Sequence, residues 1–563
     1  MLQILQNVKT GELKLEEVPI PSPAGGMVQV RTYASLISAG TEKMLIELAQ
    51  KSLAGKAQAR PDLVKQVLNK AKKEGWLNTF NNVMSKMEKP MPLGYSASGL
   101  VVGGESLADG SRVAIAGAGY ANHAEINLVP NNLCALIPDN VSFEEASYTT
   151  VASIALQGVR LAKPELGEYV VVIGLGLIGL ITVQLLKANG CLVIGIDPDH
   201  VKIDLGLKLG MDAGINLADN NLVKSIEYFT KGRLADHTII TAGTKSNQPI
   251  ELAGEITRRK GQVVAVGAVG MNIPRDVYYK KEIELKISMS YGPGRYDITY
   301  EEGGIDYPYD YVRWTEQRNM QAVLDLMARK KLDVKSLTTH RFQFKDAISA
   351  YDMIKESKEP YVGIILEYDV EKQHEKVIYL GRHSELASES NTLLDKEMLK
   401  QVRHDKLSIG FIGAGNYASL HLLPHLQKNN KVLLKGLVTS SGSNAKQKAE
   451  KFGFEFCSTE FEELTNNNNI DTIFIATRHS THSDFTIKAL NAGKNVFVEK
   501  PLCINEEQLN SLIQAYHTII QPVSAKWNED RSYNPPADKV INPVALTVGL
   551  NRRFAPMTIE LKK

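Results

Sequence analysis

The sequence has 563 residues, which is too long for one compact core and predicts three or four domains. Hydrophobic residues make up 43% of the chain and charged residues 23%, so the composition excludes a fibrous or disordered protein. The formal net charge of +2 gives no reason to expect nucleic acid or an anionic membrane as a partner, and small polar or phosphorylated ligands are the better expectation.

Cysteine usage and the first residues indicate the compartment. The four cysteines lie far apart, and no two have the spacing of a zinc or redox pair. The first residues become charged early and contain no apolar leader segment. The apolar run from Tyr169 to Leu186 contains three spaced glycines, which favours a buried strand turning into a helix over a membrane span. We therefore expect a cytoplasmic protein with no membrane segment.

The first part of the chain is predicted to be α/β. Residues 1–150 contain short strands separated by turns and predict a β-rich domain, which a helical insertion at 43–91 interrupts. Residues 151–289 alternate apolar strands with helices, the pattern of a doubly wound parallel sheet. Residues 290–368, with a helix predicted from Asn319 to Lys331, are expected to pack back on the β-rich domain.

The second part is predicted to repeat the parallel-sheet pattern. Residues 369–406 are polar and predict a linker. Residues 407–520 again alternate strands and helices, so we expect a second doubly wound domain there. Residues 521–563 are expected to start a C-terminal domain that the chain does not complete.

The run IGLGLIG predicts a phosphate cradle, because Gly174, Gly176 and Gly179 form a G-x-G-x-x-G between a strand and a helix. The first glycine permits a tight turn, the second lets the backbone approach a pyrophosphate, and the third lets the helix approach the strand. Asp197 ends the next strand, where a carboxylate accepts hydrogen bonds from ribose hydroxyls and repels a 2′-phosphate. NAD is therefore the predicted cofactor of this cradle.

The run IGFIGAGNYAS predicts a second cradle with Gly413, Gly415 and Ala418 at the same spacing. The strand after it ends in Thr439, Ser440 and Ser441 without a carboxylate. These hydroxyls accommodate a ribose hydroxyl or a 2′-phosphate, so both NAD and NADP stay open for the second cradle.

On these motifs residues 1–368 resemble the medium-chain dehydrogenase/reductases, and residues 407–563 resemble the Gfo/Idh/MocA oxidoreductases. The first resemblance implies a GroES-like β domain followed by a Rossmann domain. The tandem order resembles bi-domain oxidoreductases of surface-polysaccharide and sugar metabolism. Zinc-dependent members of the first family have a cysteine in C-x-G-T-D and a His-Glu pair in G-H-E.

Both zinc motifs depart from the family pattern here. In SAGTE, Ser38 stands at the cysteine position, and in PLGYSASG, Tyr95 and Ser96 replace His-Glu. Hydroxyl groups are poor zinc ligands at neutral pH, so we expect no catalytic metal. Ser38, Tyr95 and Thr41 then become candidate hydrogen-bond donors to a reacting oxygen. The alternative is that these residues simply line the core of a degenerate site.

The stretch from Ser290 combines Arg295, Arg313 and Arg318 with many tyrosines. Tyrosine faces cover pyranose rings and arginines bind phosphate or carboxylate, which suits a sugar or sugar-nucleotide. A well-packed lid is the equally weighted alternative.

In the second half, VFVEKP places Glu499 and Lys500 at the EKP motif of the Gfo/Idh/MocA family. The resemblance implies that Lys500 lies near the nicotinamide and the reacting hydroxyl, where an ammonium stabilises alkoxide charge and relays a proton. It also implies that Thr477, His482 and Glu499 lie on the cofactor side of that cleft, with a helix-capping role as the alternative for His482. Because the family's substrate domain does not follow, we expect this half to bind a dinucleotide without completing catalysis.

The sequence therefore predicts an NAD(P)-dependent oxidoreductase that acts on a hydroxyl or carbonyl of a sugar or sugar-nucleotide. The competing hypothesis is a non-catalytic dinucleotide-binding sensor or scaffold. The oligomeric state is not predicted, and a homodimer stays open.

Overall fold

The computed structural model describes residues 1–23, 25–59, 61–74, 83, 87, 89–356, 359–380, 406–520 and 544–549. These residues form two β-rich sheets and two parallel sheets. No helix in the described part of the chain has the length and apolar character that a membrane crossing requires.

The β-rich domain begins with a three-stranded sheet in the order β2-β1-β4, paired antiparallel. Strand β3 is the centre of a larger sheet, where it pairs with β5 and β7, and β6 pairs with β5 and β8. The strand bounds are β1 Leu2–Asn7, β2 Leu13–Glu17, β3 Met27–Ile37, β4 Pro90–Pro92, β5 Ser96–Gly104, β6 Arg112–Ala116, β7 Ile126–Pro130 and β8 Cys134–Leu136.

The helical insertion starts four residues earlier than predicted. Helix α1 begins at Ala39, directly after β3, so Thr41 and Glu42 lie in its first turn. The predicted insertion 43–91 also contains strand β4, which pairs with β1. Sequence periodicity missed the helix start because Ala39 and Gly40 carry no amphipathic signal. The helices are α1 Ala39–Gln50, α2 Leu53–Ala59 and α3 Pro61–Glu74.

The first parallel sheet has six strands in the order β11-β10-β9-β12-β13-β14. All five pairings are parallel, and the order reverses next to β9, which is the switch point where doubly wound sheets bind ligands. The strands are β9 Tyr169–Ile173, β10 Leu192–Asp197, β11 Ala213–Asn216, β12 Ala235–Ile240, β13 Thr257–Ala265 and β14 Glu284–Ile287. The helices before and between them are α4 Phe143–Ala146, α5 Thr149–Ala162, α6 Leu177–Ala188, α7 His200–Lys208, α8 Leu222–Phe229, α9 Gln248–Ile256 and α10 Arg275–Lys281.

The segment after this sheet returns to the β-rich domain, as expected. Strand β16 pairs antiparallel with β3 and parallel with β15, so the larger sheet reads β15-β16-β3-β5-β6-β8. The predicted helix at 319–331 starts and ends three residues earlier, because the Thr315 side chain caps it by accepting a hydrogen bond from the Arg318 amide. The elements are α11 Ile298–Glu301, α12 Glu316–Ala328, β15 Thr338–Gln343, α13 Ala347–Glu356 and β16 Gly363–Glu367.

The second parallel sheet has seven strands in the order β17-β20-β19-β18-β21-β22-β23. Only β17 is antiparallel in it. The strands are β17 Val377–Tyr379, β18 Leu407–Ile412, β19 Val432–Val438, β20 Phe456–Ser458, β21 Thr472–Ile475, β22 Asn495–Glu499 and β23 Leu546–Gly549. The helices are α14 Leu423–Lys428, α15 Gly442–Phe452, α16 Glu462–Thr465, α17 His482–Asn491 and α18 Glu506–Ile520, and a π-helical turn, Ala418–Leu422, precedes α14.

Two predicted boundaries of the second half are wrong. Strand β17 lies inside the predicted linker 369–406 but pairs with β20, so the second domain begins before residue 407. Strand β23 lies inside 521–563, the predicted start of another domain, but extends the same sheet beside β22. Strand β17 is short and has no strong apolar pattern, whereas the apolar run VALTVGL predicts a strand at β23 without indicating its partner. The rest of these two ranges, 381–405, 521–543 and 550–563, lies outside the described residues.

Candidate functional site

The three hydroxyl candidates of the first half lie together at the end of β3. The Tyr95 hydroxyl donates to Ser38 Oγ at 2.7 Å, and the Thr41 side chain also hydrogen-bonds to Tyr95. Burial of the phenol, followed by the charge of Glu42, raises the pKa of Tyr95, while its bonds to Ser38 and Thr41 lower it. Tyr95 therefore stays a neutral donor at physiological pH, and the Ser38 proton is left to face a further acceptor.

A buried acid supports this hydroxyl cluster. The Glu42 carboxylate accepts the Ser38 amide hydrogen at 2.9 Å and lies 3.2 Å from His123 Nε2. The Tyr351 hydroxyl donates to the same carboxylate, and His123 Nδ1 is 2.7 Å from Ser35 Oγ. Burial, then the Glu42 charge, holds the pKa of Tyr351 well above its usual value. The Ser38 backbone is thus fixed by a carboxylate that His123 and Tyr351 also hold in place.

Sequence reasoning did not select Glu42, His123 or Tyr351. Glu42 lies in SAGTE, and a charged residue directly after the candidate hydroxyls was the available signal. His123 and Tyr351 are 81 and 309 residues from Glu42, so only the folded chain brings them together.

The first cradle has the geometry that a pyrophosphate needs. Gly174 has φ of +96°, and a Cβ there would lie 2.7 Å from the Ala242 amide nitrogen. A Cβ on Gly179 would lie 1.9 Å from the Gly174 carbonyl oxygen, which explains the third glycine as a helix-to-strand contact. A Cβ on Gly176 would meet nothing within 4 Å, so this residue faces open space at the N-terminus of α6.

Asp197 has a second role beside the one predicted. Its Oδ2 accepts the Leu175 amide hydrogen at 2.7 Å, and its Oδ1 accepts the Asp199 amide hydrogen at 2.9 Å. Leu175 is part of the cradle, so the acid predicted to meet ribose also holds the cradle backbone. Each carboxylate oxygen retains a free lone pair for a ribose hydroxyl.

The second cradle repeats these features. Gly413 has φ of +90°, and a Cβ on it would lie 2.5 Å from the Ala476 carbonyl oxygen. A Cβ on Gly415 would meet nothing within 4 Å, and Ala418 is buried at the start of the π-helical turn. The backbone therefore leaves the same opening for an anion in both cradles.

The EKP residues lie at the carboxyl edge of the sheet that carries the second cradle. Glu499 ends β22 and is buried, Lys500 follows it and is exposed, and the Lys500–Pro501 peptide bond is cis. Thr477 lies just after β21, the neighbouring strand. The structure thus brings Lys500, Thr477 and the second cradle to one edge, as parallel strands require.

His482 and Glu499 have structural contacts in this region. His482 is 1% exposed; its Nδ1 is 2.7 Å from the Pro501 carbonyl oxygen and its Nε2 is 3.3 Å from the Thr477 carbonyl oxygen. Glu499 accepts the Lys500 amide hydrogen at 3.3 Å. Rather than facing a ligand, His482 ties the end of β21 to the loop that carries Lys500.

Most arginines of the tyrosine-rich stretch are engaged within it. Arg295 pairs with Glu301 at 2.5 Å, and Arg318 pairs with Asp306. The Arg313 guanidinium lies 3.7 Å from the centre of the Trp314 ring, and the Arg160 guanidinium lies 3.3 Å from it. Tyr120 of the β-rich domain donates to Glu302 at 3.0 Å. These contacts favour the lid interpretation over a row of arginines that bind phosphate.

The side chains at the positions of the two family zinc motifs, Ser38 and Tyr95, do not suit zinc as ligands. Ser38 and Tyr95 hydrogen-bond to each other, and hydroxyls compete poorly with thiolate and imidazole for this metal. In the described part of the chain, no three His, Cys, Asp or Glu side chains gather in a group that can hold a metal ion.

Comparison with known proteins confirms both predicted resemblances. Residues 178–302 match the family model described as zinc-binding dehydrogenase, and residues 407–519 match the model described as oxidoreductase family, NAD-binding Rossmann fold. A D-guloside 3-dehydrogenase of Shigella flexneri is 28% identical over 230 residues, or 40% of this chain and 62% of that protein. A sorbitol dehydrogenase of Bacillus subtilis is 31% identical over 170 residues, or 30% of this chain and 47% of that protein.

A solved structure supports the predicted fold of the first half. An alcohol dehydrogenase from Thermus sp. ATN1 is similar with a TM-score of 0.50 and 18% identity. The similarity covers 66% of this chain and 100% of that protein, and at this identity it shows the fold alone. The chain thus joins, in one polypeptide, a dehydrogenase half that matches the zinc-binding dehydrogenase family and a second half that matches the NAD-binding Rossmann oxidoreductases.

Proposed function

We propose that the protein is an NAD-dependent oxidoreductase that interconverts a hydroxyl and a carbonyl group of a sugar or polyol in its first half. The observation that carries the proposal is the hydrogen-bonded pair Tyr95–Ser38, in the same half as a complete dinucleotide cradle and at positions that the family resemblance implies for zinc ligands. The two curated relatives support the substrate class, since their names state a guloside and sorbitol.

In the reducing direction the Ser38 hydroxyl donates a hydrogen bond to the substrate carbonyl oxygen. When bound, nicotinamide would supply the hydride. Ser38 stabilises the charge that develops on the oxygen, and the proton that completes the alcohol passes from solvent through the Tyr95–Ser38 hydrogen bond. Because the Tyr95 hydroxyl donates to Ser38 Oγ, it strengthens the bond that Ser38 donates onward. Glu42 keeps the Ser38 backbone in place through its amide hydrogen.

For the second half we propose dinucleotide binding at Gly413, Gly415 and Ala418, with Lys500 and Thr477 beside the nicotinamide. The shared sheet edge and the open space at Gly415 support this proposal. The substrate class proposed for the first half includes sugar-nucleotides, and a homodimer is the assembly that we propose for the chain. A cytoplasmic location is supported by the four cysteines, which are all unpaired, because free thiols suit a reducing compartment.

The test follows nicotinamide absorbance while the full chain is offered NAD with polyols, sugars and sugar-nucleotides. Ser38→Ala is expected to lower kcat by about 10²-fold because one donor to the developing charge is lost. Tyr95→Phe is expected to lower it less, because Ser38 remains. Tyr228→Phe, a tyrosine 89% exposed on α8, is the matched control and is expected to leave kcat unchanged.

Two results would contradict the proposal. Undiminished turnover by Ser38→Ala would remove the serine from the chemistry. Saturable NAD binding without absorbance change on any substrate would favour the non-catalytic sensor or scaffold.

A further inference from the structure

We infer that the first domain sets the cofactor preference of the second cradle: residues 19–22 cover the place of a ribose 2′-phosphate, so this cradle takes NAD and rejects NADP. The inference rests on the proposed dinucleotide binding in the second half. It concerns a contact that neither half makes alone.

The place of the 2′-hydroxyl follows from Rossmann geometry. In a Rossmann fold the adenosine ribose lies against the turn that ends the next strand after the cradle, where an acid usually accepts the hydrogen bonds of its hydroxyls. In the second half that turn is residues 439–441, between β19 and α15, and Gly442 and Ser443 begin the helix. It contains no carboxylate, so the turn sequence by itself leaves the choice between NAD and NADP open.

The first domain lies directly on this turn. Gly442 is in close contact with Pro19, since a Cβ added to it would lie 2.1 Å from the Pro19 carbonyl oxygen. Gly442 and Ser443, the first residues of α15, are buried. Strand β4 of the first domain also packs against α15. The helix-terminal amides that would attract a phosphate are therefore covered by a backbone that presents a carbonyl oxygen.

A pair of hydroxyls fastens residues 19–22 to the second domain. Thr459, just after β20, donates from Oγ1 to the Ile20 carbonyl oxygen at 2.5 Å. Ser22 Oγ is 2.9 Å from the same Thr459 oxygen and donates to it, because the Thr459 hydrogen is already engaged. These two hydrogen bonds thus fix the position of residues 19–22 relative to the turn.

The charges beside the turn favour a neutral ribose. Lys376 pairs with Glu460 at 3.0 Å, and Lys446 lies 3.8 Å from Glu450. A 2′-phosphate would bring about two negative charges next to the Pro19 carbonyl oxygen, while Lys376 and Lys446 are already engaged with acids. In contrast, Ser440 is exposed and can meet a ribose hydroxyl.

The test measures the second cradle alone in the full chain. Gly176→Asp closes the first cradle, since Gly176 faces the open space of the pyrophosphate and a carboxylate there repels it. Calorimetric titration with NAD and NADP then reports the second cradle. NAD is expected to saturate, and NADP is expected to bind at least tenfold more weakly.

Two variants in the Gly176→Asp background test the role of the first domain. Thr459→Val removes both hydrogen bonds of the fastening, and Gly442→Ala forces Pro19 away. Each is expected to shrink the NADP-to-NAD ratio of Kd at least fivefold with little change in the Kd for NAD. Thr486→Val, a buried threonine on α17 away from this contact, is the matched control.

The outcomes separate this inference from the proposed function. Equal binding of NAD and NADP, or a ratio that both variants leave unchanged, overturns the inference while the second cradle remains a dinucleotide site. If neither nucleotide binds once the first cradle is closed, the proposed function of the second half fails, and the inference fails with it.

Discussion

Replacement of Glu316 by glutamine is expected to remove a loss of folding stability that the first half undergoes as the pH rises. Glu316 begins α12 and is fully buried, and neither carboxylate oxygen has a hydrogen-bond partner among the described residues. Burial, then the charge of Glu301, raises its pKa from 4.5 to about 9, while Arg295 acts in the opposite direction. Arg295 compensates weakly because it is already paired with Glu301. The neighbouring Tyr291 hydroxyl is also buried without a partner.

The sign of the effect follows from proton linkage. Below about pH 4.5 the carboxyl is protonated in both the folded and the unfolded chain, so stability is unaffected. Between pH 4.5 and about 9 the unfolded chain releases the proton that the folded chain keeps, so stability falls as pH rises. At about 1.36 kcal/mol per pH unit, the interval from pH 5 to pH 8 corresponds to about 4 kcal/mol.

Thermal unfolding of the wild type and Glu316→Gln between pH 5 and pH 8 measures this difference. The variant is expected to gain on the wild type as pH rises, by a shift in Tm on the order of 5 °C across the interval. Asp325→Asn, an exposed acid on the same helix, is the matched control. Parallel curves for wild type and Glu316→Gln would refute the reasoning, because an acid that is ionised in the folded chain gives no such divergence.

Three further predictions follow from contacts described above. Gly179→Ala is expected to destabilise the first half by about 1–3 kcal/mol, because its Cβ would lie 1.9 Å from the Gly174 carbonyl oxygen. Gly176→Ala is expected to weaken NAD binding without lowering Tm, because its Cβ would meet no atom within 4 Å. Equal Tm values for the two variants would contradict this prediction. Asp197→Asn is expected to raise the affinity for NADP relative to NAD by about tenfold, since it removes the charge that repels a 2′-phosphate. The measurement is the Kd of each nucleotide, titrated into a chain whose second cradle is disabled. His482→Ala is expected to destabilise the second half by about 1–3 kcal/mol, since the buried contacts of its ring nitrogens with the Pro501 and Thr477 carbonyls are lost; unchanged denaturant unfolding of that half would refute it.

The cradles were predictable because their logic is local. A glycine at a positive φ, a glycine facing an anion and a small residue under a helix must occur at fixed spacing. The Cβ contacts at Gly174, Gly179 and Gly413 fit a tight turn or a close backbone approach, while cofactor binding by these residues stays a prediction. The carboxyl-edge position of Lys500 likewise followed from a strand end in a parallel sheet.

The neighbours of these residues required the tertiary structure. Tyr95 and Ser38 were selected one by one, but their hydrogen bond and its support by Glu42, His123 and Tyr351 join residues up to 309 positions apart. Strand β17 escaped detection because a short strand carries too little periodic signal until its partner is known. The apolar run VALTVGL predicts a strand where β23 lies, but its pairing with β22 is visible only in the folded chain.

By itself, the sequence determined that this chain contains two dinucleotide-type folds, and which backbone positions must stay free of side chains, because such requirements are imposed within one strand-turn-helix unit. Only the tertiary structure decided what surrounds those units: a buried acid behind the hydroxyl pair, the Glu316 carboxyl without a hydrogen-bond partner among the described residues, and Pro19 against Gly442. Such contacts depend on how distant segments pack, and packing is a property of the whole folded chain.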